Sequence, residues 1–322
     1  PDFKPKDLEM AIENLITAIA DLAVYRRKIM KKRIISGVVM GAVVALVLAL
    51  GLLLENFIIT TFVAIIAGIG VLELVGNAAK IDWMVFKILS GVYTAIMVFI
   101  LSSWLEEALR LSFFFNDDTA SQIELTTSDV YLPVIAAIIS IVYIIACAIL
   151  ILIKQADFDL SKIAVLCGMP LLYAFAFSTI SSIITATNGI YYLLLILNFS
   201  CVCDMGAYFV GVSYGKRKLC PEISPNKTVE GALGGIVSSI VVSLIITLCY
   251  GKFTAIIPTV LLTIPLCIAG MAGDLFASVI KRKTGIKDYG NLIPGHGGVL
   301  DRVDSMLFIA PLIFCLMFLG VL

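Results

Sequence analysis

The sequence predicts an all-α polytopic membrane protein of about nine transmembrane helices, arranged around a polar cavity that faces the cytoplasm. Three observations predict it. Of the 322 residues, 61% are hydrophobic and only 14% charged, with a mean hydropathy of +1.07, whereas an average soluble domain carries roughly 25% charged residues. The apolar runs reach the ~20 residues that cross a bilayer as helix. The costly polar side chains collect in two stretches, around 204–231 and 273–305, instead of scattering along the chain. The first two observations exclude a soluble fold, and the third says where the chemistry lies.

Residues 1–33 are expected to form a cytoplasmic segment, and 34–322 the transmembrane domain that carries the chemistry. Within the first, Leu8, Ile12, Leu15, Ile16, Ile19, Leu22 and Ala23 recur at helical spacing, with an acidic opposite face built on Glu9, Glu13 and Asp21. Such a helix docks on the rest of the protein, on a second copy or on a regulatory partner more readily than on anionic lipid. The cluster Arg26, Arg27, Lys28, Lys31, Lys32 and Arg33 then precedes a long apolar run, which places the N-terminus in the cytoplasm. The charged, mixed start lacks the pattern of a cleavable signal peptide, so none is expected.

Nine spans follow, at roughly 34–54, 57–76, 84–104, 130–153, 163–187, 190–214, 231–250, 254–280 and 303–322. An odd number puts the C-terminus outside. Charge checks this topology independently: of the 23 Lys and Arg, all but Arg110 and Lys252 fall on the inside. Trp83 and Trp104, 21 residues and so about 31 Å of helix apart, read as interface anchors at the two ends of the third span. The outside segment from Glu106 to Asp129 is acidic and shows no catalytic grouping. Eight cysteines have no ligand spacing, since Cys201 and Cys203 are too close for a CxxC pair, and they read as small core or lipid-facing residues. No fixed-period repeat is visible.

Asp204 lies inside the apolar run CVCDMGAYFVGVSYGKRKL. An intramembrane carboxylate is expensive and points to function. At helical spacing Asp204, Tyr208, Gly211 and Gly215 share one side, setting the acid above small residues that admit a helix or a lipid. After Lys216, Arg217 and Lys218 comes a short loop with Ser224, Asn226, Lys227, Thr228 and Glu230, a composition that suits an oxyanion or phosphate at a helix start.

The last stretch is GDLFASVIKRKTGIKDYGNLIPGHGGVLDRVDS, from Gly273 to Ser305. As a helix through Lys281 it carries Asp274, Ser278 and Lys281 on one face, within about 10 Å of rise. Arg282 and Lys283 lead into a loop rich in glycine, and Asp301, Arg302 and Asp304 open the final apolar segment. Acids at a helix start are favoured by its dipole and also suit a cation. Both clusters fall on the cytoplasmic side. Carboxylates for a divalent metal, Lys and Arg for polyphosphate, and glycines for close approach together indicate phosphoryl or nucleotidyl transfer involving a lipid.

These residues resemble the phosphatidate cytidylyltransferase (CDP-diacylglycerol synthase) family. Its signature stands here as Ser278, Lys281, Arg282, Lys287, Asp288, His296, Gly297, Gly298, Asp301, Arg302 and Asp304, and the SPNKTVEG segment is similar too. The resemblance covers about 34–322. It implies that CTP and phosphatidic acid give CDP-diacylglycerol and pyrophosphate, with Mg²⁺ required and a second cation allowed. In that scheme Asp274 and Asp301 bind metal, with Asp304 as a further metal residue. Lys227, Lys281 and Arg282 hold the triphosphate; Asp204 and Asp304 hold a second cation or orient the basic groups. Ser224, Asn226, Ser278, Lys287, His296 and Arg302 complete the substrate site. A phosphate monoester with a second pKa near ~6 is already largely dianionic at neutral pH. His296, the only histidine, is therefore expected to bind phosphate or order its loop rather than act as a base.

A CTP-using polyprenol or phytol kinase and an ion-coupled transporter are the competing readings; the complete signature disfavours the first and the phosphate cradle the second. No nucleic-acid partner is expected. The lipid bilayer is the expected environment, in a bacterial cell membrane rather than a eukaryotic internal one. Small-residue faces at Gly206 and Gly231 to Gly235 suit a homodimer and packing within the chain equally well.

Overall fold

A computed structural model describes residues 35–51, 56–115, 127–154, 159–293 and 297–322. The N-terminal amphipathic helix, the basic cluster before the first span, most of the acidic outside segment and His296 lie outside the described residues. Among the described residues, seven helices are long and apolar enough to cross a membrane, and they correspond to the second through eighth predicted spans. The first and last predicted spans are represented by shorter apolar helices.

The elements in chain order are α1 (Ile35–Gly51), α2 (Asn56–Glu73), α3 (Met84–Phe115), α4 (Thr127–Lys154), α5 (Leu160–Thr185), α6 (Gly189–Leu197) and α7 (Cys203–Tyr214). A two-stranded hairpin follows, β1 (Lys218–Cys220) and β2 (Ser224–Thr228), then α8 (Val229–Cys249), α9 (Ile256–Thr284), α10 (Leu300–Val303) and α11 (Met306–Phe318). In the membrane only helices satisfy every backbone N–H and C=O within one segment, which is why strongly β-branched runs such as AAIISIVYIIACAILILI fold as helix here. Buried hydroxyls obey the same constraint. Ser90, Thr94, Ser182, Thr247 and Thr263 each donate back to the carbonyl four residues earlier, at 2.7–2.9 Å.

Two groups of helices share the interior. α2, α3 and α5 pack together with α4 against them, around Phe86, Met97, Val98 and Phe177. α7, α8 and α9 form the second group, and α11 joins the two by packing on both α5 and α9 around Leu195, Leu266 and Ile313. The outward faces are apolar: on α4, Ile138, Ile141, Val142 and Ile145 are all more than half exposed, as lipid contact requires.

The structure departs from the periodicity reading in four places. The third span does not stop at 104: α3 runs to Phe115, 32 residues and about 48 Å of rise. The sixth span is not one regular helix, because a π-turn at Asn198–Val202 separates α6 from α7. A second π-turn, Leu74–Ala78, ends α2. The loop after α7 is the β1–β2 hairpin, with Lys218 paired to Thr228 and Cys220 to Ser224. Each π-turn adds one residue to a turn, a feature common at functional sites, and both lie beside the polar cluster.

Candidate active site

α9 supplies the spine of the site. Asp274 lies ten residues before its end at Thr284, so about 15 Å inside the helix terminus. Lys227, at the end of β2, forms an ion pair with Asp274, both side chains about one quarter exposed. The predicted face is real: two turns on from Asp274, Lys281 donates to Asp301 Oδ1 at 2.9 Å and lies 3.9 Å from Asp304 Oδ2. Ser278 is half-buried between them, while Arg282 on the adjacent face is exposed.

The hairpin places Lys227. Glu230, in the first turn of α8, accepts hydrogen bonds from the backbone of Lys216 and Arg217 at 3.0 and 3.1 Å, and Val229 N donates to Arg217 O at 2.9 Å. Thr228 caps α8 by accepting from Gly231 N at 3.1 Å. These bonds tie the start of β1 to the start of α8 and leave Lys227 directed at α9. Ser224 is half-buried and Asn226 exposed at the hairpin tip.

Asp204 is a further intramembrane acid, two residues beyond the π-turn and ten residues before the end of α7. It lies within electrostatic reach of both Asp274 and Lys227. The small residues below it do not admit a lipid, since α8 occupies that space. A methyl on Gly206 would meet Ser238 Oγ, one on Gly231 would lie 2.7 Å from Ala207 O, and one on Gly235 2.6 Å from Cys203 O. The glycines that suited a dimer therefore serve the α7–α8 contact within the chain.

The loop between α9 and α10 folds over the inner end of this cluster. Asp301 Oδ2 accepts from Tyr289 N at 2.8 Å and Gly298 N at 3.0 Å, and only 3% of its side chain is exposed. Gly297 turns the loop with φ +85°, a conformation side chains rarely adopt, and its carbonyl accepts from Ile293 N at 3.0 Å. The Tyr289 hydroxyl donates to Ala277 O at 3.1 Å, and Lys281 Nζ stands 5.2 Å from its ring centroid. Lys287, Asp288 and Arg302 are exposed around the rim. Sequence reasoning missed two residues here, both from the end of α2. Glu73 accepts from Val299 N and Leu300 N, each at 3.1 Å, and Asn77 Nδ2 donates to Tyr289 O at 2.6 Å. The rule that singled out Asp204, that a carboxylate in an apolar span carries function, applies equally to Glu73 in GVLELVG.

The result is a line of charge of mixed sign drawn from α7, β2, α9, α10 and the turn after α10: Asp204, Lys227, Asp274, Asp304, Lys281 and Asp301. Asp304 lies in the turn between α10 and α11, with 12% of its side chain exposed. Its Oδ1 accepts from Ser305 N at 2.8 Å, and Ser305 Oγ shares a 2.6 Å hydrogen bond with Ser200 in the π-turn. Four carboxylates against two ammonium groups leave a deficit of two positive charges. The donors are hard oxygens, and the Lys227 ammonium already occupies a cation's place on Asp274. Among the described residues no three acidic, histidine or cysteine groups converge as a closed metal cage. Hard carboxylate oxygens of this kind suit a divalent cation. The cavity of about 150 Å³ lined by Glu106, Arg110, Ser182 and Thr185 is at the opposite end of the bundle and takes no part in this cluster.

The description of the cytidylyltransferase family matches residues 31–319 of this sequence, nearly its whole length. The chain belongs to the cytidylyltransferase family. Three curated bacterial members illustrate the likeness. The chain is similar to the phosphatidate cytidylyltransferase of Bacillus subtilis strain 168, 53% identical over 114 residues, which is 35% of this chain and 42% of that protein. It is similar to those of Staphylococcus saprophyticus, at 43%, and Staphylococcus epidermidis, at 45%, each over 129 residues, 40% of this chain and 50% of those proteins. The chain thus aligns with about half the length of these cytidylyltransferases or somewhat less. With its apolar helices, this member of the family is an integral membrane protein whose matched relatives are bacterial.

Proposed function

We propose that the protein is a CTP:phosphatidate cytidylyltransferase of a bacterial cell membrane, working from the cytoplasmic side. The observation that carries this reading is the line of carboxylates and ammonium groups beside a glycine-rich loop, with Asp204 and Asp274 each about 15 Å inside the ends of α7 and α9. The family membership and the printed names of the relatives support the same substrates.

In the reaction proposed, a phosphate oxygen of phosphatidate attacks the α-phosphorus of CTP. The new P–O bond forms as the bond from that phosphorus to the α–β bridging oxygen breaks, and pyrophosphate departs with the electron pair. Asp274, with Asp204 or Asp304 as a second carboxylate, would hold Mg²⁺, which when bound would offset charge building on the departing pyrophosphate. Lys227, Arg282, Lys287 and Arg302 bind phosphate oxygens, and Ser224, Asn226 and Ser278 complete the polar wall. Lys281 is engaged by Asp301 and Asp304, so its first effect is to orient them. Asp301, whose oxygens already take two N–H groups and Lys281, acts chiefly by ordering the loop. The dianionic phosphatidate needs little help from a general base.

The test is pyrophosphate release by purified protein in detergent with Mg²⁺, supplied with CTP and phosphatidate, and separately with CTP and a polyprenol or phytol. Release with phosphatidate alone is the expected result. CDP formed from the alcohol would make the protein a kinase, and no nucleotide turnover with either would overturn an enzymatic reading.

A further inference from the structure

The side chain that fixes the glycine-rich loop comes from the far end of the sequence. Glu73 is 9% exposed in the last turn of α2, and each of its carboxylate oxygens accepts one backbone N–H, from Val299 and Leu300. Those two residues lead directly into Asp301. The loop approaches this carboxylate so closely that a methyl on Gly290 would lie 2.3 Å from Glu73 Oε1, and one on Gly298 2.3 Å from Oε2. Two further contacts come from the same corner. Asn77, one turn on, holds Tyr289 O, and Lys80, the residue with φ +53°, directs its ammonium to within about 4 Å of the position a methyl would take on Gly285.

Glu73 and Asp301 therefore grip the loop from two sides. Asp301 takes the N–H groups of Tyr289 and Gly298, and Glu73 takes the next two, Val299 and Leu300. Four backbone donors within one short segment are satisfied by two carboxylates from elements 228 residues apart in sequence. No neutral side chain does this equally well. A glutamine in place of Glu73 keeps one acceptor oxygen and turns its NH₂ toward a second donor, leaving that N–H unpaired in a buried place.

We propose that Glu73 is a positioning residue for the transfer reaction: it sets the backbone of 298–300 and, through it, the direction of Asp301 and its partner Lys281. This rests on the cytidylyl-transfer reading, but its structural half can be measured without it. In Glu73→Gln, amide hydrogen exchange at Val299 and Leu300, read without substrate, is expected to speed up at least tenfold. With substrates, kcat is expected to fall about a hundredfold, the range of losses seen when a group that orients a catalytic shell is removed, while KM for phosphatidate stays within about threefold. Gly290→Ala provides a second route to the same contact, because the atoms nearest its added methyl are those of the Glu73 side chain, and it serves if Glu73→Gln does not fold. It should reproduce both effects, and the double variant should lose no more than the worse single one.

Unchanged exchange at Val299 and Leu300 in both single variants, or additive losses of kcat in the double, would overturn the proposal. If wild-type protein releases no pyrophosphate, the functional reading fails, and the exchange data still decide whether Glu73 holds the loop.

Discussion

Lys281 and Asp301, 2.9 Å apart, form the most enclosed ion pair of the described residues, with 13% and 3% of their side chains exposed. The pair spans the glycine-rich loop, so it closes a ring of chain whose other contacts are the hydrogen bonds of Asp301 to Tyr289 N and Gly298 N. Breaking such a pair strands a charge out of water, which costs about 3–5 kcal/mol when the partner is simply removed. Asp301→Asn is expected to lower thermal stability in detergent and to abolish turnover together, whereas Asp301→Asn combined with Lys281→Met should recover stability without activity. Recovery of neither would mean that the pair is not what the loop depends on.

Asp274 behaves differently in this account, because its partner Lys227 belongs to a hairpin and both groups are partly open. Asp274→Asn is expected to reduce turnover by at least about a hundredfold, more than loss of an outer-shell partner of a metal, with extraction and melting close to wild type. Removing divalent cations with EDTA should stop the wild-type enzyme, and Mg²⁺ should restore it. Activity within about tenfold of wild type in Asp274→Asn would remove this residue from the metal site.

The α7–α8 contact predicts a further class of variant. A methyl on Gly231 would lie 2.7 Å from a backbone oxygen, so Gly231→Ala forces the two helices apart rather than moving one flexible side chain. Overpacking of this kind costs about 1–3 kcal/mol. Because Asp204 rides on α7 and Lys227 precedes α8, the same change should raise the Mg²⁺ concentration needed for half-maximal rate. A melting curve and a Mg²⁺ titration on one preparation test both halves.

His296 lies outside the described residues, and its prediction comes from chemistry. If phosphatidate attacks as a dianion, His296→Gln retains turnover within about tenfold at pH 7 and keeps the wild-type pH profile. Loss at pH 7 with recovery at high pH would identify the imidazole as a base.

The intramembrane part of the site was largely legible in the sequence, because charge in an apolar span is costly enough to stand out. That criterion singled out Asp204, helical spacing joined Asp274 to Lys281, and loop composition and a helix start pointed to Lys227, Asp301 and Asp304; the structure brings these residues together. Glu73 and Asn77 passed unnoticed because a single acid in a long span gives no local pattern, and its partners are backbone groups more than two hundred residues away. The hairpin was hidden by Pro221 and Pro225 and by strands of only three and five residues. The π-turns were invisible to a 3.6-residue period, since one inserted residue shifts the pattern without interrupting its apolar character. The last predicted span was also too generous, because Asp304 and Ser305 interrupt it before α11.

The ion pair between Lys227 and Asp274 gives the resting protein a built-in placeholder. An unpaired carboxylate in a three-quarters buried place is a poor state in which to wait between turnovers, and the hairpin lysine spares Asp274 from it. Any cation that takes this acid must displace the Lys227 ammonium, which would then be free to meet an anion. On the proposed reaction, arrival of metal and capture of anion would be two halves of one exchange.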